Sequence, residues 1–318
     1  APHLNSILVV VSGGAEDIAA VSHAAGLAAR ADARLTLLSV VEPPRDLARM
    51  ARAAGVAAET IAADLVQARR AKLGDLVTDA ELAQPPALDV RTGKTFIEVI
   101  RAVRETGYDL VVKSAEKLSG LQTFIFASTD QHLLRKCPAP VWLRRPDARA
   151  QTRTIVAAVD VDTWDAAEPE TQNALNRSIL HTAAALAALD EAAIEVVHVW
   201  DAPGEELVAR WTSDTAEPAR YRDDLEAECR NALNTLIHDA FVDGSGPTRL
   251  TPRLLRGVAR DAIPEHARRV GADLLVMGTI ARTGVPGLLI GNTAEDVLHR
   301  ADCSVLTVKP PGYVSPIS

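Results

Sequence analysis

The chain repeats itself, and an internal repeat constrains a fold more tightly than composition does. Residues 93–143 and 257–307 align without a gap at an offset of 164. Gly93 meets Gly257, Gly107 meets Gly271, Asp109 meets Asp273 and Leu134 meets Leu298. YDLVVK (108–113) lies over ADLLVM (272–277). The copies also begin alike, SILVVVS (6–12) over TIVAAVD (154–160), but at an offset of 148. The second copy therefore carries sixteen more residues before its third strand, about eleven of them between Val161 and Thr171. The polar stretch Pro146–Thr152 reads as a short join. Two domains are expected, residues 1–147 and 153–318, as a 318-residue length also suggests at ~150 residues per domain.

Within each copy, short apolar runs alternate with helical periodicity. Ile7–Val11 is continuously apolar, the pattern of a strand covered on both faces. A helix is expected from Ala15 to Ala31, strands at Leu35–Val41, Ala87–Arg91, Asp109–Lys113 and Pro140–Leu143, and a helix at Phe96–Arg104. One long helical stretch is expected from Asp46 to Val77. The second copy repeats this order: Ile155–Asp160, Asn173–Leu189, Ile194–Trp200, Arg220–Phe241, Leu250–Arg256, Ala262–Val270, Asp273–Met277, Thr293–His299 and Ser304–Lys309. Strands alternating with helices imply parallel strands joined by right-handed crossovers. The fold class expected is α/β, two tandem doubly wound five-stranded parallel sheets. In such sheets ligands lie beyond the carboxyl ends of the strands, where the strand order reverses.

Composition removes several function classes. Aromatic residues are only 3% and the net charge is −8, so neither an aromatic platform for single strands nor a general polyanion binder is expected, and nucleic acid is not read as a partner. No apolar run is long enough for a membrane span. The three cysteines, Cys137, Cys229 and Cys303, form no CxxC pair and fit a reducing compartment. With no secretory leader pattern, a cytoplasmic location is expected.

Chemistry concentrates after the fourth strand of copy two, in MGTIARTGVPGLLIGNTAEDVL (277–298). Met277 ends the strand and Gly278 follows it. Gly291, Asn292 and Thr293 open the next helix, with Asn292 or Thr293 as a candidate cap. Glycines let backbone N–H groups approach a phosphate, the helix N-terminus carries partial positive charge, and Arg282 adds a cation. The loop lacks Gly-Lys-Ser/Thr, so it is not a Walker A loop. An alternative reading makes these glycines tight turns only.

At these residues the sequence resembles the universal stress protein family. Its nucleotide-holding members carry Gly-x-x-Gly, nine residues, then Gly-Ser or Gly-Thr in this loop. Here the pattern runs Gly278, Ala281, nine residues, Gly291, Asn292. TDQHLLRKCPAPVW (129–142) and GNTAEDV (291–297) strengthen the resemblance. It implies that Asp160 and Val199 hold an adenine end while Gly278, Gly291, Asn292 and Thr293 hold phosphates, with Met277 and Arg282 among the nucleotide-binding residues and ATP or AMP, with or without Mg²⁺, as ligand. Ala281 and Asn292 depart from the pattern, adding a methyl and replacing a hydroxyl. Copy one departs further, with Ser114, Lys117 and Ala127 in the glycine positions and Ser12 opposite Asp160. Copy one is therefore expected to be structural, a pseudo-symmetric partner within the chain, and a further homodimer is open.

Other clusters carry two readings each. His132, Arg135, Lys136 and Cys137 form either an anion or partner surface or a solvated helix end. His198 is either near a ligand or a core histidine. Asp160 and Asp162 either flank Mg²⁺ or solvate a loop. The expected function is a non-enzymatic stress-response or regulatory protein with an adenine-nucleotide or other small-anion site in its second copy. The alternatives are a slow ATPase, for which no positioned base or arginine finger is visible, and a scaffold for an unknown protein partner or an apolar, lipid-like ligand.

Overall fold

The structure is a computed structural model, and it describes residues 4–115, 127–162, 168–244, 246–279 and 291–317. The chain divides into two units: residues 152–312 form one, and residues 4–151 together with 313–317 form the other.

The first unit runs β1 (Ser6–Val10), α1 (Ile18–Ala31), β2 (Arg34–Val41), α2 (Leu47–Ala54), α3 (Ala58–Asp79), β3 (Ala87–Thr92), α4 (Thr95–Thr106), β4 (Leu110–Ser114), α5 (Ser128–Lys136) and β5 (Val141–Arg144). Its strands lie in the order β3-β2-β1-β4-β5, and each neighbouring pair is parallel. Ile7, Leu8 and Val9 of β1, Leu37 and Leu38 of β2, and Val111 and Val112 of β4 are fully buried. Strands apolar on both faces need helices on both sides, and crossover helices supply them. α1 turns Ala20, Val21, Ala24, Leu27 and Ala28 inward. Burial of a side chain such as Leu27 contributes roughly 2 kcal/mol.

The second unit runs β6 (Thr154–Ala158), α6 (Pro169–Asp190), β7 (Ala193–Trp200), α7 (Glu205–Trp211), α8 (Glu217–Ala240), β8 (Leu250–Arg256), α9 (Ala259–Val270), β9 (Leu274–Gly278), α10 (Asn292–Arg300) and β10 (Ser304–Val308). Its order is β10-β9-β6-β7-β8, again parallel throughout. The order reverses between β6 and β9, as it does between β1 and β4 in the first unit.

The matched residues of the repeat do matched work. Gly107 and Gly271 close α4 and α9 at φ +75° and +62°, a left-handed conformation that glycine adopts without a Cβ clash. Asp109 Oδ2 accepts the backbone N–H groups of Asn5 and Ser6 at 2.8 and 3.0 Å. Asp273 Oδ2 accepts those of Arg153 and Thr154 at the same two distances. Each aspartate thus pins the entry of its copy's first strand.

The long helix expected over Asp46–Val77 is instead two helices, α2 and α3. Gly55, at φ +68°, ends α2, with its own N–H on Arg52 O and that of Val56 on Ala51 O. The last residues return to the first copy: the Tyr313 hydroxyl donates to Arg135 O at 3.0 Å, and Arg104 Nη1 donates to Ile317 O at 2.6 Å. No helix among the described residues is long and apolar enough to cross a membrane.

Candidate functional site

The switch point of the second copy gathers most of the expected residues. β6 ends at Ala158, and Asp160 follows two residues later, half-buried. Val199 sits one residue before the end of β7, also half-buried. Met277 and Gly278 close β9, with Met277 buried. α10 starts just after Gly291. β7, β6 and β9 are neighbours, so Val199, Asp160 and Gly278 share the carboxyl edge of one stretch of sheet. Arg282 lies outside the described residues.

The start of α10 differs from expectation. Neither Asn292 nor Thr293 is its cap; Gly291 is, with extended backbone at φ −61° and ψ 139°, and its carbonyl accepts the Glu295 N–H at 3.0 Å. Asn292 and Thr293 are the first two helical residues, and their N–H groups are among those that an α-helix leaves without an internal acceptor. Gly291 brings no side chain of its own to those donors.

Asp160 is held by a residue that motif reasoning missed. Asn176 Oδ1 accepts the Asp160 N–H at 3.0 Å, and its Nδ2 donates to Asp160 O at 2.6 Å. A signal for it exists in the repeat. In the first copy the matching residue is Asp17, five residues after Ser12, where Asn176 is sixteen after Asp160. The difference is the eleven-residue insertion. Asp160 Oδ1 accepts the Asp162 N–H at 3.3 Å. Among the described residues no group of three or more His, Cys, Asp or Glu side chains forms a metal cage. His198 is 2% exposed, its Nδ1 lying 3.4 Å from both Val159 O and Val161 N, which makes it a core residue.

Two packing facts refine the glycine loop. A Cβ on Gly278 would come within 2.6 Å of Leu175 Cδ2, so α6 packs this leucine tightly over the glycine and any larger residue there must displace it. Beyond it, Thr279 is buried, and the ammonium of Lys309, also buried, donates to its hydroxyl. Lys309 follows β10, whose Val308 pairs with Gly278. It places a cation at the root of the loop, and sequence reading had passed over it as the last residue of a strand.

The first copy uses the same places differently. Asp17 Oδ2 accepts the N–H of Ser12, Gly13 and Gly14 at 2.7, 2.9 and 3.4 Å, and the Ser12 hydroxyl at 2.8 Å. Donors that would greet an external anion already hold an internal one. Lys113, matched to Met277, forms a buried ion pair with Asp130 at 3.0 Å. Ser114, matched to Gly278, donates to Glu16 O at 3.1 Å.

Comparison with known proteins agrees with the repeat. The model of the universal stress protein family matches residues 3–145 and again 152–309. The chain belongs to the universal stress protein family. It carries two tandem universal stress copies and is similar to universal stress protein E of Escherichia coli strain K12, 30% identical over 225 residues that cover 70% of this chain and 68% of the relative. A solved universal stress protein structure from Pseudomonas aeruginosa UCBPP-PA14 is 26% identical, with a TM-score of 0.68 over 96% of this chain and 94% of that one. One from Archaeoglobus fulgidus DSM 4304 shares the fold at 14% identity, with a TM-score of 0.64 over 97% of each chain. The α/β architecture expected from the strand–helix alternation is thereby the fold of universal stress proteins.

Proposed function

We propose that this chain is a non-enzymatic, cytoplasmic stress-response protein whose second copy holds an adenine nucleotide, ATP or AMP, while its first copy is structural. The observation that supports this most is the convergence of Asp160, Val199, Gly278 and the Gly291 helix start on the β6/β9 switch point, set against the internally filled equivalent in copy one. Asp160 and Val199 would meet the adenine end. Met277, Gly278, Gly291, Asn292 and Thr293, with Arg282 and Lys309, would face phosphates, and Mg²⁺ would enter with the nucleotide. Cys137, Cys229 and Cys303 form no disulfide, in keeping with a reducing compartment.

The protein purified under native conditions is expected to release adenine nucleotide on denaturing extraction, identified by mass spectrometry. Asp160→Ala is expected to release none while melting cooperatively. An empty wild-type protein, or equal nucleotide from both, removes this reading.

A scaffold reading has its own support. Gly278 packs against Leu175, and a cleft of about 750 Å³ opens in the first unit at the amino ends of the strands, lined by Ala25, Leu35 and Leu82 together with Asp32, Arg34 and Glu81. An apolar molecule in the extract would favour it.

A further inference from the structure

The helix pair α4–α5 of the first copy carries a cluster that the nucleotide reading does not use. Phe96 and His132 stack with centroids 4.2 Å apart and planes 25° from parallel. Lys136, one turn after His132, lies with Nζ 5.4 Å from the Phe96 centroid. Lys94 precedes α4 as its N-cap residue and is exposed. His132 Nδ1 is closed off from solvent and takes no hydrogen bond, which leaves Nε2 as the ring atom to meet a ligand. At this partly exposed helix end the His132 ring and the Lys136 ammonium both lie against Phe96.

The surrounding acids are spent elsewhere. Glu42, next to Lys94, accepts both the N–H and the hydroxyl of Thr95 at 2.9 Å. Glu98 pairs with Arg101 at 2.8 Å, and Asp130 with Lys113. Among the described residues neither Lys94 nor Lys136 closes a salt bridge, although the Glu42 carboxylate feels the charge of Lys94. In a chain of net charge −8, such a local excess of positive charge is out of keeping with the whole.

We propose that Lys94, Lys136 and His132, backed by the Phe96 ring, form a binding site for a small oxyanion of double charge, a phosphate or sulfate group. The site lies in the first copy and does not rest on nucleotide binding in the second. Its electrostatics give it a reporter. Burial, followed by the charges of Lys136, Arg135 and Lys94, holds the His132 imidazole below its ordinary range. A bound dianion offsets those three charges, so it must raise that value, and by linkage it binds the protonated ring more tightly.

The test is a pH titration of the full chain with ¹³C-labelled histidine, followed by NMR, in sodium sulfate and in sodium chloride at equal ionic strength. His132→Gln assigns the signal. Sulfate keeps its charge from pH 5 to 8 and is the probe. The expected result is an upward shift of His132 by about one unit in sulfate alone, a tenfold preference for the charged ring. The Lys94→Met/Lys136→Met double variant, checked for an unchanged amide spectrum, is expected to abolish it. Equal titration in both salts, or a shift that survives in the double variant, overturns the proposal. Competition against sulfate at pH 7.5 then separates sources. Inorganic phosphate competing better identifies the free ion, and phenyl phosphate competing better identifies an ester whose ring joins Phe96. Competition by neither overturns the site.

Discussion

A single carboxylate decides what the first copy is. Asp17 is 4% exposed and takes three backbone N–H groups and a hydroxyl on one oxygen. Charge-assisted bonds of this kind are strong, and removing the acceptor leaves part-buried donors without a partner. Asp17→Ala is expected to destabilise the protein by about 3 kcal/mol in urea unfolding, and Asp17→Asn, which keeps an acceptor oxygen, by about 1 kcal/mol. Equal, small losses would mean that water replaces the carboxylate. At this scale the sequence was only partly legible. Asp160, Val199, Met277, Gly278 and Gly291 follow from strand ends and a known loop pattern, and the structure places each at the carboxyl edge. Asn176 and Lys309 were missed because neither belongs to a motif. One is fixed by an insertion that shifts the repeat by eleven residues, the other by the register of β10 against β9. Asn292 was misjudged as a cap because cap preference was read without the backbone, which makes Gly291 the last non-helical residue.

Elements followed from the sequence wherever apolar periodicity was long. β8 has the bounds that its pattern implies, Leu250–Arg256. Failures came where local backbone overrode composition. The Ala-, Arg- and Leu-rich run after Asp46 suits a helix throughout, yet Gly55 in the left-handed region splits it. α7 was missed because its seven residues are too few for periodicity to register. Helix α4 shows a remote cap that spacing cannot reveal. Glu42, at the end of β2, serves Thr95, the first residue of α4, in place of a neighbouring side chain. The backbone hydrogen bond to Thr95, with its hydroxyl bond and the nearby Lys94, holds the Glu42 carboxyl below its ordinary value of 4.5. A lowered carboxylate stabilises the fold above its unfolded value and loses that contribution as pH falls through the folded one. Glu42→Gln is therefore expected to cost about 0.5 kcal/mol at pH 7, as for an exposed cap, and nothing near pH 3. The measurement is urea unfolding of both proteins at the two pH values. A cost that persists at pH 3 would contradict the charge argument.

At the scale of the molecule, the repeat is the fact from which the rest follows. It announces two sets of five parallel strands with the same winding, and each unit shows one. What it conceals is their divergence. The first copy has closed its strand ends with Asp17 and the Lys113–Asp130 pair. The second keeps a glycine at the end of β9 and has Gly291, with no capping side chain of its own, at the start of α10. Seen as sequence, both differences are ordinary substitutions; their meaning needs the hydrogen bonds. The two copies are therefore expected to bind asymmetrically, and stoichiometry tests that most directly. Isothermal titration of ATP with Mg²⁺ into the nucleotide-stripped full chain is predicted to show a single site per chain, lost in Gly291→Trp and kept in Lys113→Met. No binding, or two sites per chain, would contradict it.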